Sequence, residues 1–162
     1  MTITTVFTDE RLRIGTVGSL LIVAYKGENS AADLQHVDRE EGLLVARYGK
    51  ISMLSVVLPT KSMARVKDDL KKAALELVQK YRAHLVADVI VIPPQGISGT
   101  IVRTFLVAFS LLARNPYPSK VFTRAEDALT WLKQVPGQDI TFADTTDARE
   151  LTDVLEFTAL AA

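Results

Sequence analysis

The hydrophobic period changes sharply between residues 51 and 81, and that change confines the chain to folds that pair strands with helices. Ile51 to Leu58 is a short apolar run closed by Pro59, too brief for a core helix and rich in branched residues. This is the pattern of a strand buried on both faces. From Val66 the apolar residues recur instead at three and four positions, as Val66, Leu70, Ala73, Ala74, Leu77 and Tyr81, with Lys67, Asp68, Lys71, Lys72 and Lys80 on the other side. That spacing predicts an amphipathic helix.

The alternation then repeats. Leu85 to Ile92 is a second buried-strand run ending at Pro93-Pro94, Ile97 to Ala113 reads as an apolar helix, and Lys120 to Phe122 as a short strand. Thr123 and Glu126 have the spacing of a capping box before a helix carrying Ala128, Leu129, Trp131 and Leu132. Upstream, Ser30 stands three residues before Asp33 at the start of a polar helix with Leu34, Val37, Leu44 and Val45 facing inward. The N-terminal stretch alternates branched and polar residues and is punctuated by Asp9-Glu10 and Gly18, which predicts short antiparallel strands ending in Leu20 to Tyr25. The expected order is a strand meander followed by αβαβαβα. Strands joined through helices lie parallel, so the sheet is expected to be mixed. Composition turns more polar after Pro136-Gly137, dividing the chain into a domain over residues 1–136 and a C-terminal extension over 137–162, with a helix expected from Thr146 to Thr158.

Charge and composition narrow the function classes. Nineteen basic residues balance nineteen acidic ones, so no long-range field draws the domain to nucleic acid. Cysteine is absent, which removes disulfides, thiolate catalysis and cysteine zinc sites. The start MTITTVFTDERLR lacks a basic segment followed by an apolar one, and the Ile97–Ala113 run, broken by Ser98, Gly99, Thr100, Arg103, Thr104 and Ser110, falls short of the roughly twenty apolar residues of a membrane span. These features predict a cytoplasmic protein with no transmembrane segment.

The segment from Gly96 to Leu132 resembles the SpoIIAA-like branch of the STAS-like domains, the fold of anti-sigma-factor antagonists and of the cytoplasmic domain of sulfate transporters. The resemblance rests on the apolar helix ending Ser110-Leu111-Leu112-Ala113-Arg114, the strand Ser119-Lys120-Val121-Phe122 and the closing helix Glu126 to Leu132. Element order from about Leu20 to Leu132 agrees with it. The resemblance implies an α/β domain with a STAS-like mixed sheet of about four or five strands, no catalytic residues and no cofactor. It also implies regulatory contact with another protein or self-association, or, as the alternative, carriage or sensing of an apolar, lipid-like small molecule with peripheral membrane association. Phosphorylated antagonists carry an Asp-Ser pair at a strand-to-helix junction, where this chain reads Leu58-Pro59-Thr60-Lys61-Ser62-Met63.

Candidate sites follow from the same elements. His36 has carboxylates at helical spacing in Glu40 and, more loosely, Asp33, but no second histidine or cysteine nearby, and His84 lies in another element, so no metal is assigned. Ser62, Ser98 and Ser110 lack the surroundings of a nucleophile elbow. Thr60 and Ser62 stand at a helix start, and Gly96 and Gly99 in a strand-to-helix turn, which makes them candidates for a phosphosite or anion site as well as for capping and a tight turn. The Ile97–Ala113 helix has an apolar surface wider than one sheet needs. Val102, Phe105, Leu106, Val107, Phe109 and Leu111 are accordingly candidates for contacting a partner or ligand, or for lying beneath the C-terminal extension.

Overall fold

The computed structural model describes residues 3–27, 29–58, 67–93, 103–104, 106–107 and 114–138. In chain order the elements are β1 (Thr4–Thr8), β2 (Leu12–Val17), β3 (Leu20–Lys26), α1 (Ala31–Tyr48), β4 (Ile51–Leu58), α2 (Asp68–Tyr81), β5 (Leu85–Val91), β6 (Ser119–Phe122) and α3 (Ala125–Gln134). Arg103, Thr104, Leu106 and Val107 are also helical. The six strands form one mixed sheet in the order β1-β2-β3-β4-β5-β6.

Six strands exceed the four or five expected, because two turns cut the N-terminal stretch into three. At the first, the Asp9 carboxylate accepts the backbone N–H groups of Arg11 and Leu12, each at 2.7 Å. At the second, Gly18 adopts φ 55°, a conformation in which glycine avoids the steric cost of a Cβ. Both turns reverse the chain, so β1–β2 and β2–β3 pair antiparallel, whereas β3–β4, β4–β5 and β5–β6 pair parallel.

Every parallel step moves the same way across the sheet, and right-handed crossovers then place successive connecting helices on one face. The packing obeys that rule. Leu34, Val37 and Leu44 of α1 join Leu70, Ala73, Ala74 and Leu77 of α2 above Leu21, Val23, Ile51 and Met53. Ala128, Leu129 and Leu132 of α3 pack on the opposite face against a cluster that includes Ile22, Leu54, Val56, Ala87, Val89 and Val91.

The helix ends show where local chemistry sets the boundaries and where it does not. Ser30 Oγ accepts the Asp33 N–H at 3.3 Å and the Asp33 carboxylate accepts the Ser30 N–H at 2.7 Å, a reciprocal capping box. The box expected from Thr123 and Glu126 does not form. α3 begins one residue later, with Arg124 at the N-cap, so Glu126 falls a residue short of the required position and lies 3.4 Å from Arg124 Nε instead. The described part of α2 starts after Lys67, with no side-chain cap. α1 and α2 approach closely at Gly42, where a Cβ would stand 2.9 Å from the Tyr81 hydroxyl oxygen. There Tyr81 Oη and Lys80 Nζ both donate to Asp38 Oδ1 at 2.7 Å.

Leu132 is 1% exposed, whereas Leu77 is only half-buried. Leu132→Ala is therefore expected to lower unfolding free energy by about 2–5 kcal/mol, and Leu77→Ala by less. Urea denaturation of the two variants checks the ranking, and a larger loss for Leu77→Ala would reverse the assignment of core and rim.

Candidate functional site

A strand buried on both faces has no place for an uncompensated charge, yet β5 carries Asp88 in its middle. Alternation along β5 turns Ala87, Val89 and Val91 toward α3, so Asp88 points to the face covered by α1 and α2. α1 brings a second carboxylate to that face. Its buried stripe runs Asp33, Leu34, Val37, Glu41, Leu44, with Glu41 only 1% exposed. Tyr25 of β3 and Tyr117, just before β6, belong to the same packed cluster.

Few partners satisfy these groups. Among the described residues, Glu41 Oε2, Asp88 Oδ1 and the Tyr117 hydroxyl are closed off from solvent and lack a hydrogen-bond partner. Burial, reinforced by the negative charges of Asp88 and Asp38, pushes the Glu41 carboxyl up to about 9. Burial also pushes Asp88 up to about 7, against the lowering effect of a hydrogen bond from Ser119. Both phenols are held above their ordinary range. Burial is the first cause in each, with Glu41 and Asp88 next for Tyr25 and Asp88 and Glu41 next for Tyr117. Asp38, one turn from Glu41 on α1, has the opposite environment: its hydrogen bond from Lys80 lowers its pKa. At neutral pH the arrangement holds a protonated Glu41 in one cluster with two phenols that keep their protons.

This cluster is absent from the candidates read from sequence, although the spacing bears both carboxylates. Glu41 falls four residues after Val37 and three before Leu44, on the inward stripe, and Asp88 interrupts the apolar run Leu85 to Ile92. His36 stacks on Phe7 with ring centroids 4.0 Å apart, and His84 Nδ1 lies 3.0 Å from the Gly49 carbonyl oxygen. Among the described residues, no three histidine, aspartate or glutamate side chains gather as a metal site requires.

Of the candidate contact residues, Leu106 and Val107 are described. Leu106 packs with Val57, Ile90, Ile92 and Val121, which alternation places on the α1–α2 face. Val107, its neighbour, is 45% exposed. Arg103 ties this helical stretch to the end of β5, its guanidinium donating to the Ile92 carbonyl at 3.4 Å. Val102, Phe105, Phe109, Leu111, Thr60, Ser62, Gly96 and Gly99 lie outside the described residues, as does the helix expected from Thr146 to Thr158. Beyond α3 the chain turns at Gly137, φ 86°, and Ser52 Oγ of β4 hydrogen-bonds Gln138 Oε1 at 2.7 Å. Ser52 shares its face with Leu54 and Val56, so the C-terminal extension sets out on the side of the sheet opposite Leu106.

A scan against protein-family models finds none that matches the chain, and a search of curated proteins returns no matching relative.

The two buried tyrosines offer a direct check of the hydrogen-bond assignments. Tyr81→Phe removes a hydroxyl bonded to Asp38 and is expected to cost about 1 kcal/mol, whereas Tyr117→Phe removes a buried hydroxyl with no partner among the described residues and is expected to leave stability unchanged or raise it by about 1–3 kcal/mol. Thermal unfolding of both variants measures the contrast. A clear loss in Tyr117→Phe would show that its hydroxyl is satisfied in solution.

Proposed function

We propose that this domain is a non-enzymatic binding module of STAS-like architecture, making regulatory contacts with another protein or a second copy of itself through the helical surface around Val107. One observation carries the reading: Leu106 packs into the sheet while its neighbour Val107 is 45% exposed. The C-terminal extension is the covering element within the chain that would make this surface ordinary core. As far as Gln138 it runs on the other side of the sheet, which favours an external partner. The order of helices and parallel strands after β3 supports the STAS-like architecture, with the antiparallel β1 and β2 added at its edge. Among the described residues no helix is long and apolar enough to cross a membrane.

Val107→Ser tests the reading, with Leu106→Ala as the internal reference. If Val107 faces a partner, the serine variant keeps its unfolding free energy within about 0.5 kcal/mol of the parent, as surface substitutions do. It also shifts sedimentation velocity toward the smaller species or loses partner binding. Leu106→Ala, by contrast, weakens the fold itself. A Val107→Ser variant that unfolds more readily while sedimenting as the parent does would make this surface part of the core, and retention of an apolar molecule in native mass spectrometry would favour the carrier.

A further inference from the structure

Glu41 occupies a position on α1 that packing alone would give to leucine, between Val37 and Leu44 on the stripe that docks the helix against the sheet. Its situation differs from that of the two aspartates on this helix. Asp33 accepts the Ser30 N–H in the capping box, and Asp38 accepts from Lys80 and Tyr81. Glu41 Oε2 accepts nothing among the described residues.

The groups acting on Glu41 from the packed elements do not compensate a charge there. β5 presents Asp88, β3 presents the phenol of Tyr25, the segment before β6 presents the phenol of Tyr117, and α1 itself adds Asp38. Lys80 of α2 is the one cation acting on it among the described residues, and its ammonium group is half exposed and hydrogen-bonded to Asp38. An ionised Glu41 in this interface would face negative charge and apolar side chains, and it regains solvation by leaving the sheet.

We propose that α1 is a proton-latched element, docked on the sheet while Glu41 is a neutral carboxylic acid and released when that carboxyl ionises. Release uncovers Leu21, Val23, Ile51 and Met53 on the sheet together with Leu34, Val37 and Leu44 on the helix, so the latch governs access to an apolar surface that the docked state hides. The direction of the shifts sets the sign. Undocked, Glu41 ionises near 4.5; docked, it holds its proton to about 9. Docking is therefore strongest below 4.5 and weakens steadily as pH rises toward about 9. Asp88 adds a similar loss between 3.8 and about 7 and little beyond. The window from about 7 to about 9 isolates Glu41.

Amide hydrogen exchange of the full chain between about pH 6 and about pH 9.5, corrected for intrinsic base catalysis, tests this. In the parent, the opening constant of α1 amides is expected to rise up to about tenfold per pH unit from about pH 7 to about pH 9, the slope for one proton lost on opening. α1 is also expected to open more readily than β4 at every pH. Glu41→Gln, which keeps the shape without the ionisation, should flatten the slope above pH 7, and Glu41→Leu provides the same readout if the glutamine variant folds poorly. Asp88→Asn should keep a slope above pH 7 and reduce, without abolishing, the slope below it, where Glu41 still loses its proton on opening. An unchanged slope in Glu41→Gln or Glu41→Leu would overturn the latch, as would α1 and β4 opening together with one common constant.

Discussion

β3, β4 and β5 are buried on both faces, and the rest of the structure depends on that constraint. Parallel strands cannot be joined by a short turn, so each connection must climb over the sheet, and the helix that forms the connection becomes the cover. Because the strands are added in one direction, those covers fall on one face, and the other face must be closed by the chain beyond β6. α3 does this over β5 and β6, with Ala128, Leu129 and Leu132 turned inward. The requirement leaves these strands little tolerance for polar side chains, since each one is carried into the interior with its hydrogen-bonding needs.

Asp88 and Glu41 are where that tolerance is exceeded. Their carboxyls are taken out of water in one cluster with two phenols, and Lys80, the cation acting on Glu41, is half exposed and hydrogen-bonded to Asp38. Desolvation of a carboxylate outweighs any single neutral hydrogen bond, so the groups respond by keeping their protons. Asp38 sits on the same helix, one turn away, and behaves in the opposite sense. Partial exposure and Lys80 make its charged form the favoured one. One helix thus carries a carboxylate that clamps α2 by being ionised and another that packs on the sheet by being neutral.

Most of the fold is legible in the sequence because it is written in hydrophobic period. The Ile51–Leu58 strand, the α1 capping box at Ser30 and Asp33, and the punctuation at Asp9 and Gly18 are local signals that the structure reproduces. The strand count implied by family resemblance is less informative than those turns. The Thr123–Glu126 spacing misleads because a capping box depends on which residue begins the helix, a matter of one position that composition does not register. The Glu41–Asp88 cluster escapes a sequence reading for a different reason. Period identifies which face a residue occupies, but two carboxylates on separate elements, with β4 and α2 between them in the chain, become a pair only when the parallel register places β5 beneath the helices. That register is a property of the assembled sheet.

One face of the sheet holds two side chains in opposite situations. On the α1–α2 face, Leu106 anchors a helical stretch whose next residue, Val107, looks outward, while the chain beyond α3 returns beneath β4 through Gln138. An apolar side chain can stay exposed on a folded domain without threatening it, because what Val107 would gain by burial is small beside the packing that holds Leu106. A buried carboxyl has no such freedom, since its charged form is penalised for as long as the helix stays docked. The outward valine therefore bears little on the fold whether or not it is covered, whereas the latch proposed at Glu41 would couple the fold to the proton concentration around it.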